Sequence, residues 1–253
     1  MRWVMLAYER QLSIDMAATM YQWLKDIQHG LFPATCVLCG CDAAGELDLC
    51  AACRADLPRV LRPCPRCGLP LATEAENECG ACVADPPAFT CTVAPFRYED
   101  PVKHLIHALK FNQKLYVARL LGELMAEHCA QEGARPDVII PVPLHTGRLR
   151  ERGFNQALEL ARPIAAHLRI PINVHACQRT RSTAAQSDLP AGQRVKNIKG
   201  AFELTKRIQV RRVAIIDDVM TTGATVDELA RTLIANGVED VHIWVCARAI
   251  LNY

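Results

Sequence analysis

The chain has 253 residues, 51% of them apolar and 22% charged, with a formal net charge of +2. That is enough apolar material for one large domain, or a medium domain with a smaller companion, and it excludes global disorder. So small a net charge also excludes a surface coated throughout for nucleic acid, so any basic patch has to be local.

Residues 1–31 begin MRWVMLAYERQLSIDMAATMYQW, and charges interrupt each apolar run before it reaches the length of a signal-peptide core. No later stretch offers the about 18 apolar residues that a membrane-spanning helix needs. A cytoplasmic protein with no membrane insertion is expected. The first 31 residues are expected either to form an amphipathic helical extension or to lie upstream of a start at Met16 or Met20.

Nine of the 13 cysteines fall between Cys36 and Cys82. With no secretory signal, thiolates kept for metal explain this crowding better than disulfides. Four knuckles stand out: CVLC (Cys36, Cys39), CAAC (Cys50, Cys53), CPRC (Cys64, Cys67) and CGAC (Cys79, Cys82). Each closes two corners of a tetrahedron, so residues 32–88 are expected to form a double zinc ribbon with two structural sites of four thiolates each. Pairing the first knuckle with the second and the third with the fourth costs least in loop closure, with an interleaved pairing left open. An iron–sulfur cluster is the weaker alternative, and Cys41 is an extra thiol that could replace Cys39. Cys91, Cys129, Cys177 and Cys246 sit in apolar surroundings and read as core residues.

The composition changes at the proline-rich ADPPAF (Ala84 to Phe89), which marks a boundary before a domain over residues 89–253. PVKHLIHALKF and LYVARLLGELMAEHC carry helical periodicity. His104 and His107 share a helical face, where a packed or solvated pair is the simplest explanation. DVIIPVP (Asp137 to Pro143) predicts a strand. NQALELARPIAAHL predicts a helix that Pro163 should kink or interrupt. INVHACQ, from Ile172, is strand-like, and residues 179–200 have no period, as expected of a long functional loop. VAIIDDV predicts a buried strand and TVDELARTLIANG a helix, with Thr225 and Glu228 as a capping box and Gly237 as its stop. DVHIWVCARAI predicts a last strand. Strands alternating with helices point to an α/β domain with a parallel sheet.

The stretch VAIIDDVMTTGAT carries the chemistry. A strand running into a Thr- and Gly-rich turn that opens a helix places backbone N–H groups and the positive end of a helix at one spot, where a phosphate fits. Asp217 and Asp218 lie at the carboxyl end of that strand, where open α/β sheets bind ligands, and two acceptors there suit the vicinal hydroxyls of a ribose 5-phosphate. Neighbouring strand residues face opposite ways, so both acids reach one ligand only where the strand bends. Carboxylates turned inward into ion pairs would count against the assignment. Across the strand tips, PVPLHTGRLRERGFNQ offers Arg148, Arg150 and Arg152 to a pyrophosphate.

In this order the residues resemble the phosphoribosyl pyrophosphate (PRPP) motif of the type I phosphoribosyltransferases. The resemblance implies a central, mostly parallel sheet flanked by helices. It also implies a 5-phosphate cradle of Met220, Thr221, Thr222, Gly223, Ala224 and Thr225, and ribose contacts from Asp217 and Asp218. Magnesium is implied with PRPP, bridging ribose and pyrophosphate. The Pro-Val-Pro strand end is similar to that of amidophosphoribosyltransferases and implies a pyrophosphate loop holding Leu144, His145, Arg148, Arg150 and Arg152. Residues 179–200 would then be the family's flexible loop, with Arg179, Arg181, Gln186, Arg194, Lys196 and Asn197 as its polar groups. Asp217, Asp218, Arg148 and Arg181 are the implied catalytic set.

Zinc ribbons followed by these three segments resemble the competence protein F (ComF) family, from about Phe32 to the C-terminus. Pro163 and the first thirty residues depart from its pattern. The resemblance implies phosphoribosyl transfer from PRPP to an unidentified acceptor, a link with DNA uptake in natural transformation, and single-stranded DNA or DNA-uptake proteins as candidate partners. The alternative is a non-catalytic PRPP sensor that binds single-stranded DNA or a partner.

Overall fold

The computed structural model describes residues 34–43, 47–73, 75–131, 135–181 and 198–250. The expected N-terminal helix lies outside them. The chain divides into two compact units, Met1–Asp56 and Leu57–Tyr253. No described helix is long and apolar enough to cross a membrane.

In the first unit, Cys36 opens a tight knuckle. Its N–H donates to the Cys41 carbonyl, the Gly40 N–H donates back to Cys36, and Gly40 takes a φ of 75°. The second half of this ribbon is the short helix α1 (Ala51–Ala55), N-capped by the Cys50 sulfur, which accepts from the Cys53 N–H.

The second unit begins by repeating that pattern. Cys64 and Gly68 form the same knuckle, with Gly68 at φ 71°, and Cys79 precedes the short helix α2 (Gly80–Ala84). Beyond it lies a parallel sheet. Its strands are β1 (Cys91–Val93), β2 (Phe96–Arg97), β3 (Val138–Pro141), β6 (Arg212–Met220) and β7 (Asp240–Arg248). The order is β1, β7, β6, β3, with β2 continuing along the β7 edge that β1 starts, and every pairing is parallel. Val213 to Ile216 and Val241 to Arg248 are all buried, as the two-faced burial of a parallel sheet requires of its central strands.

Helices α3 (Val102–Asn112), α4 (Leu115–Cys129), α5 (Thr146–Arg152), α6 (Gln156–Leu168) and α7 (Ala224–Ile234) flank the sheet. A separate antiparallel ribbon pairs β4 (Cys177–Arg179) with β5 (Phe202–Leu204).

Four sequence expectations change here. Pro163 does not interrupt its helix, because α6 runs through it from Gln156 to Leu168. The predicted Ile172 strand is a single parallel bridge from Ile172 to Ile139, after which an Asn173 side-chain turn redirects the chain into β4. The arginine segment is helical, with the His145 ring capping α5 through the Gly147 N–H at 3.2 Å and Gly153 ending it at φ 82°. The helix after the acids is capped by Gly223, not by Thr225. Glu228 instead accepts from the Gly200 N–H at 2.6 Å, so the expected capping box does not form.

Pro163 is accommodated by a glycine on the neighbouring helix. A Cβ at Gly122 of α4 would lie 2.3 Å from the Pro163 Cγ and 2.7 Å from the Leu160 carbonyl oxygen. Gly122→Ala is therefore expected to cost about 1–3 kcal/mol in urea unfolding. Pro163→Ala should restore only part of that, because the Leu160 carbonyl stays in the way. A Gly122→Ala protein as stable as the parent would contradict this packing.

Candidate functional site

The turn after β6 leads directly into a helix. Met220 is buried, Gly223 takes a φ of 83°, and a Cβ there would stand 2.9 Å from the Met220 methyl. A side chain at this position would meet both backbone strain and that methyl. Gly223 then opens α7, whose first-turn N–H groups have no intrahelical acceptor and point out of the helix end along its positive dipole. Thr221, Thr222, Ala224 and Thr225 are all half-buried around this end, and the Thr222 hydroxyl accepts weakly from the Ala224 N–H at 3.4 Å.

The two acids are not equivalent. β6 stays in register with β7 through Met220, and each carboxylate turns back on the strand, the Asp217 Oδ1 accepting from the Asp218 N–H at 2.9 Å and the Asp218 Oδ1 from the Val219 N–H at 2.8 Å. Asp218 is 3% exposed, and its Oδ2 lies 2.5 Å from the Lys110 Nζ, which reaches over from the end of α3. Burial disfavours the Lys110 charge, but the attraction and hydrogen bond of Asp218, with Asp217 adding to them, hold it above the ordinary lysine value. Asp217 is half-buried and carries no such ion pair among the described residues. Burial first, then the charge of Asp218, pushes Asp217 up to about 7, with Lys110 pulling the other way.

Arg152 and Arg179 feel the charges of the acids, and Arg148 lies near both arginines. Burial draws the Arg152 guanidinium below its ordinary value, with Asp218 and Asp217 opposing and Arg148 reinforcing the shift. Arg179 is lowered by burial too, with Asp217 opposing and Arg148 again adding to it. Arg148, Arg152 and Arg179 thus share one electrostatic neighbourhood with the aspartates, a concentration of positive charge suited to a pyrophosphate. Arg152 is oriented by the Gln156 side chain at 2.7 Å and lies 5.8 Å from the Phe111 ring centroid.

Other expected site residues fall elsewhere. Arg150 is exposed on α5, Leu144 is half-buried before that helix, and His145 serves as its cap. Arg181 donates to the Lys199 carbonyl at 2.8 Å, closing the base of the segment that leaves at β4 and returns at β5. Gln186, Arg194, Lys196 and Asn197 lie outside the described residues. His104 and His107 are exposed, the latter with its ring 4.5 Å from that of Phe111.

Lys110 was missed by motif reading. Its signal was positional, since it follows Val102 and Ile106 at four-residue intervals along the buried stripe of α3, where a lysine needs an acidic partner.

The cysteines gather as the sequential pairing requires: Cys36, Cys39, Cys50 and Cys53 in one group, and Cys64, Cys67, Cys79 and Cys82 in the other. Cys41 belongs to neither group. All four sulfurs of each group lie within 4.8 Å of one another. A Zn–S bond of about 2.3 Å sets tetrahedron edges of about 3.8 Å. The Cys39–Cys50 and Cys67–Cys79 sulfurs are 3.7 Å and 3.5 Å apart, so the residues fit a single zinc ion at each site and are too close to bracket a polynuclear cluster. Four thiolates leave no open coordination position, which makes both sites structural. Cys129, Cys177 and Cys246 are buried and Cys91 is half-buried.

Comparison with known proteins matches both halves. Residues 27–83 fit the double zinc ribbon domain model and residues 111–250 the phosphoribosyl transferase domain model. The DNA utilization protein YhgH of Shigella flexneri is 38% identical over 224 residues, covering 86% of this chain and 98% of the relative. Competence protein F of Haemophilus influenzae is 34% identical over 211 residues, covering 79% of this chain and 90% of the relative. Among solved structures, the glutamine PRPP amidotransferase of B. subtilis is 17% identical over 51% of this chain and 25% of its own, at a TM-score of 0.35.

Proposed function

Because the chain belongs to the competence protein F (ComF) family, with its double zinc ribbon and phosphoribosyltransferase domain, we propose that it binds PRPP and transfers the phosphoribosyl group to an acceptor, releasing pyrophosphate. The observation that carries this reading is that β6, which bears half-buried Asp217, runs on through Met220 into the Gly223 turn at the head of α7. In this arrangement the turn residues Met220 to Thr225 take the 5-phosphate through N–H groups and hydroxyls, and Asp217 accepts from the ribose hydroxyls.

Arg148, Arg152 and Arg179 stabilise the charge that develops on the departing pyrophosphate. The bond from C1 to the pyrophosphate oxygen breaks with its electron pair leaving on that oxygen. A lone pair of the acceptor forms the new bond to C1, and the acceptor loses its proton. No protein nucleophile is required, so catalysis rests on positioning and charge. Asp217, a hard oxygen donor at the strand end, would hold a magnesium ion brought in with PRPP, directly or through water, and such an ion would supply charge neutralisation of the pyrophosphate.

Asp218 takes part through Lys110. Their ion pair fixes the end of α3 beside the site, and Asp218 reaches ribose only if Lys110 turns to the pyrophosphate instead. The ion pair counts against Asp218 as a ribose contact in this reading and equally in the second, in which PRPP is bound intact as a sensed ligand while the protein engages single-stranded DNA or a partner. The names of the relatives, competence and DNA utilization, lead us to place either activity in the uptake or use of DNA.

Pyrophosphate release separates the two. The full chain loaded with zinc and supplied with PRPP, magnesium and candidate bases, amines and DNA ends is expected to release pyrophosphate with at least one acceptor class. PRPP that binds and stays intact with all of them would leave only the sensor.

A further inference from the structure

Arg248, at the carboxyl end of β7, is 4% exposed, and its hydrogen bonds join two places the mechanism treats separately. Its Nε donates to the Cys67 carbonyl at 2.8 Å. Its Nη1 donates to the carbonyls of Met220, at 2.9 Å, and Thr221, the first residues of the phosphate turn, and to that of Ala249 at 2.9 Å. One rigid guanidinium therefore links a cysteine of the second four-sulfur site to the backbone of the cradle.

Other contacts make the second ribbon part of the sheet. The Thr92 hydroxyl donates to the Arg66 carbonyl at 2.6 Å, and the Thr92 N–H donates to the Pro65 carbonyl at 2.9 Å. A Cβ on Gly68 would lie 3.1 Å from the Thr92 methyl. Cys64, Cys67 and Cys82 are buried in the same apolar cluster as Met220, Val226 and Leu229. On the α7 side, the Asp227 carboxylate accepts from the Ala88 N–H at 2.6 Å.

We propose that Arg248 is a positioning residue that couples metal occupancy of the Cys64, Cys67, Cys79 and Cys82 site to the conformation of the turn from Met220 to Thr225. Metal held by the four sulfurs fixes the Cys67 backbone. That fixes the guanidinium plane, which in turn holds the two carbonyls from which the cradle starts. Loss of metal, by chelation or thiol oxidation, loosens the cradle without touching a residue of it. Coupling is reciprocal, so a ligand seated in the turn slows metal loss from the second site. The inference rests on the reading of this turn as a phosphate site, but the coupling itself can be measured without a ligand.

The test is hydrogen exchange on the full zinc-loaded chain, read peptide by peptide, together with zinc release to a chromogenic chelator. Arg248→Lys keeps the charge, but a point ammonium cannot span the Cys67 and Thr221 carbonyls at once. It is expected to speed exchange across Thr221 to Thr225 by about tenfold or more and to speed release of one of the two zinc ions severalfold, leaving exchange in α4 unchanged. Cys79→Ser, which removes a ligand of the second site, should loosen the same turn. Cys39→Ser, in the separate first unit, supplies the comparison and should not. Turn exchange in Arg248→Lys indistinguishable from the parent would overturn the coupling even if Cys79→Ser unfolds the chain. PRPP with magnesium should slow zinc release from the parent. If PRPP does not bind while Arg248→Lys still loosens the turn, the phosphate reading fails and the coupling stands.

Discussion

Replacing Lys110 by methionine is expected to lower the unfolding free energy by about 3–5 kcal/mol, the usual loss when one partner of a buried ion pair is removed and the other stays behind. The side chain of Asp218 is 5% exposed and has the Lys110 Nζ at 2.5 Å, so a methionine leaves a carboxylate sealed against water with no cation on it. Neighbouring Asp217 worsens this by repulsion between adjacent carboxylates. Adding Asp218→Asn to Lys110→Met should recover most of the stability, because the orphaned charge is then gone. Urea unfolding of the four proteins completes the cycle, with equal losses for the single and double variants as the contrary result.

Asp217→Asn should act in the opposite direction on stability. A carboxyl raised to about 7 in the folded chain, against about 4 in the unfolded one, binds its proton more tightly when folded. Its contribution to stability is therefore complete below about pH 4 and is lost as the pH rises through about 7. The asparagine variant is expected to gain on the parent across that window, to about 1–3 kcal/mol near pH 8, with the two converging near pH 4. Three pH units set an upper limit of about 4 kcal/mol, and partial exposure of Asp217 keeps the effect below it. A site held in a destabilised charged state is what ligand binding would relieve. Thermal and urea unfolding from about pH 4 to pH 8 measures the difference, and parallel curves for the two proteins would remove the assigned shift.

Much of this architecture could be read in the residues. β6 and β7 were visible because a strand covered on both faces needs an unbroken apolar run, and Val213 to Ile216 supply one. The cysteine pairing was visible because knuckles close in sequence meet at least entropic cost. The missed features depend on distant parts of the chain. Lys110 acquires its role only when α3 is laid beside the end of β6. Glu228 had the spacing of a capping residue, yet Gly200 returns close enough to claim its carboxylate. Pro163 reads as a helix breaker until Gly122 opposite it is known to be bare. Arg248 was only one residue of the predicted strand DVHIWVCARAI, whereas burial and four carbonyl acceptors give it a structural task. Arg148 and Arg152 were found by type and position, but their helix was set by a histidine cap and a glycine stop that motif reading passed over.

The twin aspartates show the same division. Their place near the strand end followed from the sequence, whereas their unlike environments depend on Lys110, which α3 brings to Asp218. One acid is held by a lysine and the other is left poised near neutrality. Such a separation of neighbouring carboxyls by environment is common where charge has to be managed at a site.

Calorimetric titration of the zinc-loaded chain with PRPP and magnesium, repeated with Asp217→Asn, tests the pocket most directly. Saturable binding to the parent is expected, weakened by about tenfold or more in the variant, since a hydrogen bond to a charged acceptor contributes about 1.5–3 kcal/mol. Absence of saturable heat in the parent, or the same Kd in both proteins, would contradict a ribose phosphate held between Asp217 and the Gly223 turn.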